Sequence, residues 1–115
     1  MRKIVSIMLI AVLVVIGSAC SPAQMGVAQF QPAQRSVASC IIKRESGGNP
    51  SAISATNDYG LFQINRSAHK RQFEARYGAP FERKALDPVL NGKYAAYLYS
   101  VAGWAPWRGG KYRCF

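Results

Sequence analysis

Acidic residues are scarce in this sequence, which has five Asp and Glu against fifteen Lys and Arg and a formal net charge of +10. A chain this basic favours an anionic partner such as a cell-wall polymer, a membrane surface or a nucleic acid. The basic residues are scattered and form no run of five or six, which argues against a nucleic-acid-binding arm. We therefore expect anionic cell-wall polymers as partners, and no nucleic acid.

Histidine is equally scarce, since His69 is the only one. No cluster of residues has metal-ligand spacing, which argues against a zinc site. The sequence also lacks a glycine-rich phosphate loop and the serine elbow of hydrolases. We therefore expect carboxylate chemistry that uses no metal or cofactor. We expect His69 to be a solvated residue on a helix.

The longest apolar run, IVSIMLIAVLVVIGSA, follows Arg2 and Lys3 and ends at Ala19. This is the layout of a secretory signal, and the run is short for a membrane span, which needs roughly 20 apolar residues. We predict a signal peptide over residues 1–19 and a secreted or extracytoplasmic protein. Loss of Arg2 and Lys3 would lower the formal charge from +10 to +8.

Three cysteines are an odd number for an exported protein. Cys20 follows IGSA directly, which resembles the lipobox of bacterial lipoproteins, although Gly17 stands where that family has Leu, Val or Ile. Either Cys20 is a lipidated first residue, or the segment is an ordinary signal peptide cut after Ala19 or later. With Cys20 lipidated or removed, Cys40 and Cys114 remain as a disulfide pair. This bridge would close a loop of about 74 residues and contribute on the order of 4 kcal/mol.

Residues 20–35 are rich in Pro, Gln and Ala without a period, and they predict a flexible tether before a domain over residues 36–115. Helices are predicted over residues 36–46, over most of 65–78, and from an N-cap at Asp87 to Gly103. Residues 49–65 predict a turn-rich connection with a short buried segment, and residues 79–86 a loop. The fold class is therefore mainly helical, with a short turn or β-like segment, and we expect a monomer.

Glu45 falls at the centre of the apolar face of the first predicted helix, between Ile41 and Ile42. An unpaired buried carboxylate is costly, and we expect this one to stay protonated near neutral pH. Glycoside cleavage needs such an acid, because the leaving oxygen must receive a proton. The alternative is a glutamate at a helix end that reaches solvent and pairs with Lys43 or Arg44.

The segment ESGGNPSAISATNDYGLFQIN resembles the signature of bacterial lytic transglycosylases of the soluble type, members of the lysozyme-like superfamily. Its positions are filled without a gap by Glu45, Ser46, Asn49, Pro50, Ala52, Ser54, Gly60, Leu61 and Gln63, with Phe62 in place of the usual Met. The resemblance implies an α+β lysozyme-like fold in which Glu45 is the sole catalytic acid and base. It also implies cleavage of the β-1,4 bond between N-acetylmuramic acid and N-acetylglucosamine in peptidoglycan, with a 1,6-anhydro product.

Asp58 leaves a second possibility open. DYGLFQIN is similar to a segment of animal-type lysozymes whose aspartate is the nucleophile or charge stabiliser, which implies a muramidase that hydrolyses the same bond. Glu45 and Asp58 are closer in sequence than the two acids of that family, so only this half of the motif aligns. Asp58 is therefore either a second catalytic carboxylate or a turn residue. A non-enzymatic cationic wall-binding protein is the interpretation from another class.

Six further residues are candidates for binding the glycan strand: Ser46, Tyr59, Gln63, Asn65, Trp104 and Trp107. The two amides either hold acetamido groups of the sugar or make ordinary loop hydrogen bonds. Tyr59 either lines the cleft or packs beneath it, and the two tryptophans are either sugar-stacking platforms or core residues. LYSVAGWAP stands where transglycosylases carry an Ala-Tyr-Asn-Ala-Gly-like motif, so the far wall of the cleft departs from the family.

Overall fold

The computed structural model describes residues 20–115, so the predicted signal peptide lies outside the described residues. In chain order the elements are α1 (Pro22–Val27), a 3₁₀ helix (Pro32–Gln34), α2 (Arg35–Ser46), β1 (Asp58–Tyr59), β2 (Ile64–Asn65), α3 (Arg66–Tyr77), α4 (Phe81–Lys84), α5 (Pro88–Ala102) and a second 3₁₀ helix (Ala105–Trp107). The mainly helical class with a short β segment is confirmed. Within residues 20–115, no helix is long and apolar enough to cross a membrane.

Helix α2 forms where the sequence predicts it, one residue longer at its start. Ala38, Ile41 and Ile42 lie on one face of this helix and are buried in the core. The helix ends at Gly47, which has φ +62°, and the amide of Gly47 donates to the carbonyl of Lys43. Glycine adopts this left-handed conformation without steric cost, so the Gly-Gly pair sets the end of the helix.

Helix α5 also begins as predicted. The carboxylate of Asp87 accepts hydrogen bonds from the amides of Val89 and Leu90, and Pro88 occupies the first turn, where its missing N–H is not needed. Helix α1 and the second 3₁₀ helix pack against α5.

Buried Asn91 attaches the β segment, which is β1, β2 and the turn between them, to α5. Its Nδ2 donates to the carbonyls of Tyr59 and Ala85 at 2.9 and 2.8 Å, and its Oδ1 accepts from the amide of Phe62 at 2.9 Å. Gly60 lies against this amide with φ +76°, and a Cβ there would approach the carbonyl oxygen of Ala85 to 2.5 Å. Strands β1 and β2 pair antiparallel on either side of this tight turn.

The predicted flexible tether over residues 20–35 is corrected by the structure. Ser21 caps α1 in a capping box with Gln24, and Phe30 is 3% exposed in the core. Gly26 and Gly92 let α1 approach α5 closely, because a Cβ on Gly92 would lie 2.8 Å from the Cα of Gly26. A contact made through two glycines leaves no apolar periodicity, which explains why no helical pattern is visible in residues 20–35.

The loop predicted over residues 79–86 is also corrected, because it contains the single-turn helix α4. Phe81 is fully buried, and its amide donates to the carboxylate of Glu74 on α3 at 2.9 Å. A helix of four residues is too short to show a helical period in its sequence.

The predicted disulfide is confirmed. Cys40 on α2 is bonded to Cys114, with the two Cα atoms 5.7 Å apart and 74 residues between them in sequence. The bridge fastens the C-terminal tail, residues 103–115, across the outer side of α2.

We predict that Phe30→Ala lowers the free energy of unfolding by roughly 3–5 kcal/mol, the usual cost of deleting a buried phenyl group. The ring of Phe30 lies 5.4 Å from the rings of both Phe62 and Trp104. Urea unfolding followed by circular dichroism measures the change. Phe115→Ala makes the same change at a side chain that is 46% exposed, and an equal loss in both variants would contradict a docked N-terminal segment.

Candidate active site

A cleft of about 480 Å³ opens between the end of α2, the β segment, α3, α5 and the C-terminal tail. Five of the predicted site residues line it: Glu45, Asp58, Gln63, Asn65 and Trp107. The other lining residues are Ser54, Phe62, Ile64, His69, Leu98 and Pro106. The fold thus brings both predicted catalytic carboxylates to one cavity from two different elements.

Glu45 lies in the last turn of α2 with its side chain 27% exposed. Its Oε1 accepts hydrogen bonds from Nη2 and Nε of Arg44 at 2.8 and 3.1 Å. Its Oε2 has no hydrogen-bond partner among residues 20–115. The expectation of an unpaired buried carboxylate is therefore corrected, because the neighbouring guanidinium supplies the partner. One carboxyl oxygen of Glu45 is therefore held by Arg44, and the other makes no hydrogen bond within the described residues.

Asp58 is held on both of its oxygens. Ser54 and Thr56 donate to its Oδ2, the first at 2.7 Å, and the side-chain amide of Asn65 donates to Oδ1 at 3.0 Å. Burial acts to raise the pKa of Asp58, but the hydrogen bonds from Thr56, Ser54 and Asn65 outweigh it, so the net shift is downward. Asp58 is therefore an ionised carboxylate at neutral pH that organises the turn before β1.

The two predicted amides are engaged within the protein. Nε2 of Gln63 donates to the carbonyls of Ala52 and Gly60 at 3.2 and 3.0 Å. Asn65 accepts from the amide of Ala68 at 3.0 Å and so caps α3. Both side chains border the cleft, and both make the loop hydrogen bonds that the sequence left as the alternative to sugar binding.

Three predicted binding residues do not line the cleft. The hydroxyl of Ser46 donates to the carbonyl of Ile42 at 3.0 Å, which fastens it to the end of α2. Tyr59 is 8% exposed and packs beneath the β segment. Trp104 is half-buried and stacks on Phe30 against the apolar core.

Trp107 is a core residue that also lines the cleft. It is 5% exposed, its indole N–H donates to the carbonyl of Phe62 at 3.0 Å, and its ring borders the cavity. Trp107 is therefore held in place where the core meets the cleft.

His69 was expected to be solvated, but it is half-buried and lines the cleft. Its Nδ1 lies 2.9 Å from the hydroxyl of Tyr94, and burial lowers the pKa of His69. Burial also raises the pKa of Tyr94 to about 12, so the phenol keeps its proton and can donate it to Nδ1. His69 lies one turn before buried Phe73 on α3, a spacing that could have revealed its inward orientation.

Comparison with known families decides the assignment. The model of the Transglycosylase SLT domain matches residues 23–103. The chain belongs to this transglycosylase family. Its helical fold with a small sheet is that of a small lysozyme-like domain, and family membership gives it a lytic transglycosylase-type function on peptidoglycan. No curated protein matches the chain.

The extent of the family match agrees with the docked N-terminal segment. The match includes α1 and the whole signature segment from Glu45 to Gln63, and it ends at Gly103. Trp107 and Cys114 therefore lie beyond the part of this SLT transglycosylase that the family model describes. The cleft is completed by a tail outside the matched region.

We predict that Asp58→Asn changes the pH dependence of the free energy of unfolding. Because the folded-state pKa of Asp58 is depressed below its ordinary value of 3.8, its hydrogen bonds stabilise the native state fully above about pH 5. That contribution is lost as the pH falls through the folded-state pKa. The gap in unfolding free energy between wild type and Asp58→Asn should therefore narrow steadily as the pH falls below 3.8. Urea titrations across this range test it, and a constant gap would contradict it.

Proposed function

We propose that this protein is an exported peptidoglycan lytic transglycosylase that cleaves the β-1,4 bond between N-acetylmuramic acid and N-acetylglucosamine and forms a 1,6-anhydro product. One observation carries the proposal: Glu45 presents a carboxyl group to the cleft with Oε1 held by Arg44 and Oε2 open. Family membership supplies the substrate class.

In this proposal Glu45 performs both proton transfers. In its acid form Glu45 gives its proton to the glycosidic oxygen, so the bond from that oxygen to C1 of N-acetylmuramic acid breaks and N-acetylglucosamine leaves with a new hydroxyl group. The carboxylate then takes the proton of the 6-hydroxyl of the same muramic acid residue, whose oxygen bonds to C1. Glu45 ends protonated, no water is consumed, and no second carboxylate is required.

A lysozyme-type muramidase remains the second candidate, because ionised Asp58 borders the same cleft. A retaining hydrolase needs its two carboxyl groups about 5 Å apart, with one acting as nucleophile. Three side-chain donors occupy both oxygens of Asp58, and an oxygen engaged in this way is a poor nucleophile. This arrangement favours the transglycosylase, with Asp58 as a turn residue whose negative charge faces the cleft.

We predict that Glu45→Gln lowers the rate of peptidoglycan cleavage on the order of 10²–10⁴-fold, because the amide cannot donate and recover the proton. Purified sacculi are the substrate, and mass spectrometry of the released fragments gives both rate and product. Glu82→Gln is the matched control, since Glu82 pairs with Arg66 and Lys70 away from the cleft. Anhydro-muropeptides are expected as products.

Other outcomes of this experiment identify the alternatives. Fragments with reducing ends, lost together in Glu45→Gln and Asp58→Asn, would establish a muramidase. Wild-type wall clearing by Glu45→Gln would overturn the enzyme assignment and leave the cationic wall-binding protein. Sedimentation with sacculi measures that binding independently of cleavage.

We also propose that the first 19 residues export the protein and that Cys20 anchors it by a lipid. Cys20 is exposed and outside the disulfide. In a bacterial host we expect Cys20→Ser to move the protein from the membrane fraction to the medium, as judged by immunoblotting. Release of the wild type into the medium would instead indicate an ordinary signal peptide.

A further inference from the structure

Arg44 is almost completely buried, with its side chain 2% exposed. Its guanidinium donates to Oε1 of Glu45 from Nε and Nη2, to the carbonyl of Trp107 from Nη2 at 2.6 Å, and to the carbonyl of Tyr112 from Nη1 at 3.1 Å. The two carbonyls belong to the C-terminal tail, 63 and 68 residues away in sequence. One side chain thus connects the tail to the carboxyl group of Glu45.

The Cys40–Cys114 disulfide and Gly110 allow the C-terminal tail to lie over Arg44. Cys40 and Arg44 are four residues apart on α2 and therefore share a face, and the bond from Cys40 to Cys114 fixes the tail over that face. Gly110 has φ +89°, and a Cβ there would lie 2.8 Å from both Cδ and Nε of Arg44. The tail can cover the guanidinium only because this position has no side chain.

A buried guanidinium is costly unless its charge and its N–H groups are matched. Here Glu45 supplies the charge and the tail carbonyls accept the remaining hydrogen bonds, so the planar fork has one fixed orientation. This orientation holds Oε1 of Glu45 and leaves Oε2, which has no hydrogen-bond partner among residues 20–115, as the oxygen through which the proposed proton transfers pass. The same cation stabilises the carboxylate that forms when the proton is transferred.

We propose that Arg44 is a positioning residue that fixes the carboxyl group of Glu45 for proton transfer, and that the C-terminal tail holds Arg44 in place. The inference rests on the proposed function, in which Glu45 is the catalytic acid and base. It extends the active site to tail residues beyond Gly103, where the family match ends.

The test compares two glycines that are neighbours in the tail. Gly110→Ala places a Cβ against Arg44, whereas Gly109→Ala, at φ +91°, meets no atom within 4 Å. Both positions have nearly the same left-handed φ, and only at Gly110 does the added Cβ meet the guanidinium side chain, so only the first variant should displace it. We expect Gly110→Ala to lower kcat for sacculi cleavage by at least about tenfold, given that losing one fixed donor at a reacting group costs 10²–10³. Gly109→Ala should keep the wild-type kcat, and KM should change little in either.

Arg44→Ala provides a second measurement. We expect kcat to fall on the order of 10²-fold and to recover partly when ethylguanidinium is added, because the space between Glu45 and the tail carbonyls can accept a free guanidinium. Sodium chloride at the same concentration should not restore it. Arg44→Lys keeps the charge but not the fork, and it should give an intermediate kcat.

The outcomes separate this inference from the proposed function. Wild-type kcat in Gly110→Ala and in Arg44→Ala, with Glu45→Gln inactive, would overturn the positioning role alone. Equal losses in Gly110→Ala and Gly109→Ala, without recovery of Arg44→Ala in ethylguanidinium, would assign the effect to tail stability and also overturn it. Activity retained in Glu45→Gln would overturn the proposed function, and this inference with it.

Discussion

The side-chain amide of Asn91 is the polar interaction on which the cleft depends. It is fully buried on α5 and satisfies three backbone groups, two in the β segment and one after α4. Buried backbone groups without hydrogen-bond partners destabilise the fold. The tight turn at Gly60 and the cleft wall that begins at Phe62 can therefore be buried only where the amide of Asn91 supplies those partners. The positions of Asp58, Gln63 and Asn65 relative to the helices follow from that attachment.

Helix α2 forms the opposite side of the cleft. One face of this helix packs in the core, and another contacts the C-terminal tail. Ala38, Ile41 and Ile42 fill the core, while Cys40 and Arg44 face the C-terminal tail and make a covalent bond and hydrogen bonds to it. Glu45 follows at the helix end, where Gly47 stops the chain from continuing over the cavity. A domain this small has a limited core, so a crosslink that fastens the tail also stabilises the site.

All five acidic residues of the sequence have hydrogen-bond or ion-pair partners in the structure. Glu74 accepts from the amide of Phe81, Glu82 pairs with Arg66 and Lys70, and Asp87 caps α5. The remaining two, Glu45 and Asp58, are the carboxylates that border the cleft. Most basic side chains within residues 20–115 have no acidic partner.

Helical period and capping residues in the sequence predicted helices α2, α3 and α5, because these signals act over short distances. The cysteine count predicted the disulfide pair, and the gapless motif singled out Glu45 as the catalytic candidate. The sequence did not reveal the docking of residues 20–35, which depends on Gly26 meeting Gly92, or the inward position of His69 beside Tyr94. Nor could it choose the partner of Glu45 or assign Trp104 to the core and Trp107 to the cleft wall. Only the tertiary structure decided these, because each depends on atoms brought together from distant parts of the chain, as when Arg44 meets carbonyls 63 and 68 residues away.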